Sequence, residues 1–221
     1  MPALIPELID KIDNAEIIRD QIAAILTVEL ANQGVLSGGL PQPRVFIERS
    51  NPWGQFVEVT SPPAQPVINV WWDSSTFNES ESNVVERQKA EAVYHIDCYA
   101  AAPSSDVQSG GHLPGDEQAA REAQRAVRLV RNILMAGAYT YLGLRGLVWK
   151  RFPQTITLFQ PQIDNRAGLR IVAARLALQV HFNEFSPQVA GVELETLLVE
   201  VNRKETGELL LRAEYPSTTT P

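Results

Sequence analysis

The sequence predicts an α+β fold: a mostly antiparallel sheet packed with an N-terminal helix and one long interior helix, followed by a C-terminal β-hairpin. Three observations predict it. Residues 87–100 and 169–185 alternate apolar and polar with a period of two, as half-buried strands do. Residues 116–136 instead carry Ala119, Ala123, Ala126, Val127, Val130, Ile133 and Leu134 on one helical stripe. The segments run as helices, several strands, one helix, long strands and a hairpin. Strands grouped around a single interior helix favour antiparallel pairing over a doubly wound sheet.

Taken in order, Leu4, Ile5, Leu8, Ile9 and Ile12 have helical spacing. A second helix begins at Asp13 or Asn14, where Asp13 followed three residues on by Glu16 has the form of a capping box. Ile17, Ile18, Ile22, Ile25, Leu26, Val28 and Leu30 fall on or near one face of it, and Asn32, Gln33 and Gly34 end it. A strand at 44–48 follows a breaker-rich run at 37–43. Residues 50–66 are proline-rich, with a short strand at 56–59; Pro62, Pro63 and Pro66 set an extended entry into a strand at 67–72. The polar run 73–82 reads as a mobile loop.

In 87–100, Ala90, Ala92, Tyr94, Ile96, Cys98 and Ala100 share one face, and Lys89, Glu91, His95 and Asp97 the other. A Ser/Gly/Pro-rich connector at 101–115 leads into the long helix, which Gly137 stops. Pro153 within the strand 148–159 argues for an edge position or a break. The strand 169–185 alternates Val172, Ala174, Leu176, Leu178, Val180 and Phe182 with polar residues. Against a usual strand of about 5–6 residues it is long, which implies that it bends or extends beyond its own sheet. Finally Leu197, Val199 and Val201 alternate on one arm of a hairpin, and Leu209, Leu211 and Ala213 on the other, with the turn at 204–207. The expected organisation is a core domain at 1–190, a hairpin extension at 191–215 and a disordered tail at 216–221.

Composition narrows the function. With 26 acidic and 19 basic side chains the net charge is −7, which disfavours general nucleic-acid binding by counterion release. One cysteine permits neither an internal disulfide nor a thiolate metal cluster. No run approaches the roughly 18 apolar residues of a membrane span. Near the start, Glu7, Asp10, Asp13 and Glu16 stand where a secretory signal needs a basic segment and an apolar one. The expectation is a chain made in the cytosol, with no membrane partner.

Candidate chemistry is sparse. His95 and His181 fall on the polar faces of two strands and could form a two-histidine site with Asp97 or Glu184; solvent-facing histidines are the alternative. His112 lies in a Gly/Ser-rich connector. Cys98 shares the apolar face with Ile96 and Ala100, as a small buried hydrophobe does. Gly38-Gly39 and Gly110-Gly111 lack the strand-to-helix setting of a phosphate cradle. Glu79, Glu81 and Glu86 lie in the polar loop. The expectation is therefore no catalytic residue, no metal, no cofactor and no enzyme.

Interaction surfaces are better supplied. Arg121, Arg125 and Arg128 lie on one face of the long helix, either as a solvated face balanced by Glu117 and Glu122 or as a positive surface for an acidic partner or for DNA passing through a ring. Trp71 and Trp72 must point to opposite sheet faces, so one is a candidate interface anchor unless both faces are covered. Leu197, Val199, Val201, Leu209 and Leu211 of the hairpin complete the candidate interface.

The order of elements resembles that of the small proteins that finish phage tails, the tail terminator or tail completion family. The segment 84–100, with Tyr94, His95, Ile96, Asp97 and Cys98 at its centre, resembles their central strand; 116–136 resembles the helix after it, and 173–187 the last core strand. The likeness spans roughly 15–187 and lies in order and texture, without a diagnostic motif. The extended 50–66 stretch and the hairpin depart from the smaller members. The resemblance implies a structural virion protein forming a ring, usually six-fold, at the head-proximal end of the tail tube. It implies as partners further copies of itself, the tail tube protein, and connector or collar proteins, with sheath a further candidate and DNA only traversing the lumen. Its location is then the virion tail or neck, with the host cytoplasm during assembly. Another neck, collar or connector role, or a peptide- or ligand-binding accessory domain, is the alternative.

Overall fold

A computed structural model describes residues 9–52, 65–78, 88–107, 111–161, 169–184, 196–202 and 209–216. Its first helix, α1 (Asn14–Leu36), opens on the capping box: the Asp13 carboxylate accepts from the Glu16 N–H at 2.9 Å, and Glu16 accepts from the Asp13 N–H at 3.2 Å. Asp13 is extended, so Ile9 and Ile12 are not helical and are exposed, contrary to the expectation of helix there. Gly34 does not end α1 either. A single glycine costs a helix only about 1 kcal/mol, and the stop comes where Gly38 and Gly39 turn to positive φ.

After α1 come β1 (Arg44–Ile47), β2 (Val67–Phe77), β3 (Gln88–Pro103), β4 (Ser105–Val107), β5 (Gly111–Leu113), α2 (Gly115–Leu134), β6 (Val148–Phe159) and β7 (Leu169–Glu184). Five of these strands form one sheet in the order β1-β2-β3-β7-β6. Only β1–β2 is parallel. The fold is the α+β arrangement predicted.

Two local expectations change. Residues 73–77 are not loop: β2 continues through them, because Ser74–Phe77 pair with Val93–Ala90 of β3 whatever the polarity of their side chains. The length of β7 does not carry it beyond its sheet, since β3 is equally long and pairs with it from Gln88↔Glu184 to Pro103↔Leu169. The 101–115 connector holds the small β4–β5 hairpin. β6 is an edge strand, as Pro153 implied, and its register shifts between Pro153 and Thr155.

Both helices lie on one side of the sheet, α1 over β1 and β2, α2 over β3 and β7. Between the layers sits the main core, with Ile18, Ile22 and Leu26 of α1, Tyr94 and Ile96 of β3, Val130 and Leu134 of α2, and Leu176 and Phe182 of β7. Each such side chain contributes about 1.5–3 kcal/mol of hydrophobic stabilisation on burial. Tyr94 keeps its hydroxyl satisfied there by donating to the Ala15 carbonyl at 2.9 Å. Ile17 and Val28, grouped with this face in the sequence reading, instead point away from it.

By contact the chain divides into two units, Asp10–Ser186 and Met1–Ile9 with Pro187–Pro221. The second contains β8 (Thr196–Asn202) and β9 (Leu209–Pro216), an antiparallel pair in which Leu197 faces Tyr215, Val199 faces Ala213 and Val201 faces Leu211. Its register shifts at Asn202, which pairs with Leu209. Leu4, Ile5 and Leu8, the expected strand at 56–59, the acidic residues Glu79, Glu81 and Glu86, the turn at 204–207 and the tail 217–221 lie outside the described residues. Among the described residues no helix is long and apolar enough to cross a membrane.

Candidate functional site

The sheet face opposite the helices carries the polar residues of β3 and β7. At its centre Asp97 is fully buried and stands opposite Arg175 in the β3–β7 register. Arg175 grips both carboxylate oxygens, Nε to Oδ1 at 2.6 Å and Nη2 to Oδ2 at 2.8 Å, and the Tyr99 hydroxyl donates to Oδ2 at 3.0 Å. The guanidinium rests 5.3 Å from the Phe159 ring centroid. On the other side of Asp97, buried Asn69 of β2 accepts from the Arg49 N–H at 3.1 Å and donates to the Arg49 carbonyl at 2.9 Å, tying down the chain after β1. Both carboxylate oxygens of Asp97 are engaged, so this cluster clamps β3 to β7, with Phe159 of β6 against the guanidinium.

Towards the other end of the same face, His181 is 8 % exposed and packs between Trp149 and Phe152, at ring-centroid distances of 4.9 and 5.6 Å. The register shift between Val148 and Lys150 turns Trp149 onto this side. His181 Nδ1 lies 3.1 Å from Glu91 Oε1, yet neither ring nitrogen has hydrogen-bond geometry to a partner. Burial pushes the imidazole below its usual range; Glu91 opposes that shift and Lys150 adds to it.

These positions settle where the predicted residues go. His95 pairs across β3–β7 with Ala177 and His181 with Glu91, four residues earlier in β3. At about 3.3 Å per residue, ~13 Å separates the two sites along the strand, so the two-histidine arrangement is not assembled. His95 instead has Nδ1 3.4 Å from Asp73. No group of metal-ligating side chains occurs among the described residues. Cys98 is buried in the main core, and burial pushes its thiol up, far from the thiolate a nucleophile needs.

Of the interface candidates, Trp71 is half-buried on the helix-free face opposite His95, with its indole N–H buried and unpartnered. Trp72 points to the helix side but lies beyond the core, 36 % exposed, its N–H donating to Ser75 at 3.0 Å. Neither tryptophan enters the main core. Arg121 pairs with Glu117, and Arg125 with Glu122 at 3.1 Å and the Pro41 carbonyl at 3.3 Å, as the solvated-face reading expects. Arg128 is exposed and has no hydrogen bond or ion pair among the described residues. For Leu197, Val199, Val201, Leu209 and Leu211 only the backbone pairing given above is described.

Two surfaces escaped the sequence reading. On β6, Trp149, Ile156 and Leu158 are exposed although Ile156 and Leu158 stand opposite the core residues Leu176 and Ala174. On α1, Val28, Val35 and Leu36 are more than half exposed. The signal for α1 was available, because its apolar residues occupy both sides of the helix. A separate cleft of about 390 Å³ lies where Leu40, Pro41 and Pro66 meet Ala101, Ala102 and Arg125. The chain matches no protein-family model, and none of the curated proteins matches it.

Proposed function

We propose that this chain is a structural virion protein, a tail terminator that assembles as a ring, caps the head-proximal end of a phage tail tube, ends tube growth and joins the tail to the head connector. Six copies make the ring, as the family resemblance implies. The reading rests on order of elements and is supported by one observation above all. The helix side of the domain leaves large apolar side chains uncovered in two separate places, on α1 and on β6. A monomer that works alone rarely leaves such surfaces open; a protein that stacks among copies of itself and on a tube requires them.

The physical task is to offer one face that matches the last tube ring and another that recruits no further tube subunit. A strand edge such as β6, open along its outer side among the described residues, can also extend a neighbour's sheet through main-chain hydrogen bonds. Tail tube protein on one face, connector or collar proteins on the other, sheath where the tail contracts, and DNA only passing through the lumen are the partners this role calls for.

The test is electron microscopy of tail tubes assembled with and without the purified chain. Density at one end only, with tubes that stop growing, is the expected result; a chain that neither binds nor caps tubes would sink the reading. The cleft beside Pro41 and Pro66 favours a second reading, a peptide-binding accessory domain, since its volume is within the range of small-ligand sites. Titrating proline-containing peptides against Arg125→Ala would separate the two: saturable binding lost in the variant favours the accessory role.

A further inference from the structure

We infer that the outer stripe of α1 from one copy lies in the slot between β6 and α2 of the next, so that copies join head to tail. This deepens the ring reading and rests on it.

The stripe comes first. Ile17, Ala24, Val28, Ala31 and Val35 recur at intervals of seven, four, three and four residues, which places them on one face of α1. That face is opposite the one buried on β1 and β2, and all five residues are exposed, Val28 at 65 % and Val35 at 79 %. A helix apolar on two opposite faces is made to be covered twice.

The slot follows from the widths of the layers. Two helices about 10 Å apart cover roughly four strands spaced about 4.8 Å. The sheet has five, and the one without a helix over it is β6. Its first half carries the turn after α2, where Arg151 donates to the Ala136 and Tyr139 carbonyls, and its second half is open. Its helix-side residues Ile156 and Leu158 are 44 % and 52 % exposed, beside a groove that Leu158 shares with Ala120 of α2. A third helix is missing from the layer at this place, and α1 of a neighbour has the apolar face to fill it.

Charge selects this partner over a symmetric α1–α1 contact. Glu16 and Asp20 flank the stripe at its N-terminal end, Asp20 paired with Arg19 at 2.8 Å, so two such stripes laid parallel would set carboxylates against carboxylates. The α2 flank that begins at Ala120 continues at helical spacing to Gln124 and Arg131, with Arg128, unpaired among the described residues, beside them. Asp116 and Glu117 lie at the other end of the groove, Glu117 already paired with Arg121. Stripe and slot also stand at opposite ends of the strand order, over β1–β2 and over β6. A contact between different patches can then repeat from copy to copy, as ring closure needs.

The test uses the full chain with Val28→Arg and Leu158→Arg, like charges that also repel where the two altered halves would meet, both at exposed positions where the fold tolerates charge. Light scattering should give a defined multimer for the parent and a monomer for each variant, with unchanged far-UV circular dichroism. Mixing the two variants should give a one-to-one dimer and nothing larger, because each retains the half that the other lacks. A multimer indifferent to both substitutions, or variants that do not complement, would overturn this contact and leave the ring reading intact. A parent that is monomeric yet caps tubes would do the same. A monomer that fails to cap would overturn both.

Discussion

Replacing Arg175 with methionine would leave the Asp97 carboxylate buried with the Tyr99 hydroxyl as its remaining side-chain donor. Breaking a fully buried ion pair costs about 3–5 kcal/mol; the Arg175 side chain is 37 % exposed, so a loss of about 2–4 kcal/mol is expected in urea unfolding. Removing both charges with Arg175→Met and Asp97→Leu should recover most of that loss, since the stranded carboxylate then disappears. His181 sets the pH response on the same sheet face. Its folded form takes up a proton at lower pH than the usual 6.5, so its contribution to stability is fully present above that value and declines as pH falls below it. His181→Gln should therefore flatten the fall in Tm between about pH 7 and pH 5; a profile parallel to the parent's would show that the imidazole is not held neutral. Alternation alone placed Asp97 and His181 on the polar faces of their strands. Register decides that one meets Arg175 and the other Glu91, and periodicity carries no register.

At the scale of elements, α1 depends on its first turn. Asp13→Ala removes the acceptor for the Glu16 N–H and should cost about 1 kcal/mol, read as a shift in the denaturation midpoint at constant m-value. At the start of α2 the Gly115 N–H donates to the Ser104 hydroxyl at 3.2 Å, and close packing leaves no room for a side chain at Gly115. A Cβ on Gly115 would lie 2.6 Å from the Ala102 carbonyl oxygen and 2.8 Å from the Ser104 nitrogen, both backbone atoms that cannot swing aside. Gly115→Ala should destabilise by about 1–3 kcal/mol, and a neutral result would mean that β3 and α2 can part without cost. The capping box was readable because it is a local motif, and so were β3, β7 and α2 as elements, whose sequence period marks strand and helix. That the second face of β3 and β7 is also buried, at Asp97, Tyr99, Ala173 and Ala177, is not in the period. The end of β2 was not readable, because Asp73, Ser74, Ser75 and Thr76 are polar and only pairing with β3 makes them strand. The exposure of Ile156 and Leu158 was hidden for a related reason: their pattern matches a covered strand, and what they lack is a third helix.

For the whole molecule the decisive division falls between Ser186 and Pro187. The five-stranded sheet and both helices are complete within Asp10–Ser186, and β7, the last strand of that sheet, ends at Glu184. β8 and β9 pair with each other. A two-stranded hairpin is marginal by itself in water. In the proposed ring, a neighbouring copy or a tail or neck protein would supply a surface that holds it. Truncation after Ser186 tests this at the right scale. The shortened chain should unfold cooperatively with a Tm within a few degrees of the parent's, since it keeps the main core and the Asp97–Arg175 clamp. It should form rings or join tails less well, measured by light scattering and by counting unjoined tails in micrographs. Loss of the folded state on truncation would mean that the hairpin completes the core, and the two units would then have to be treated as one.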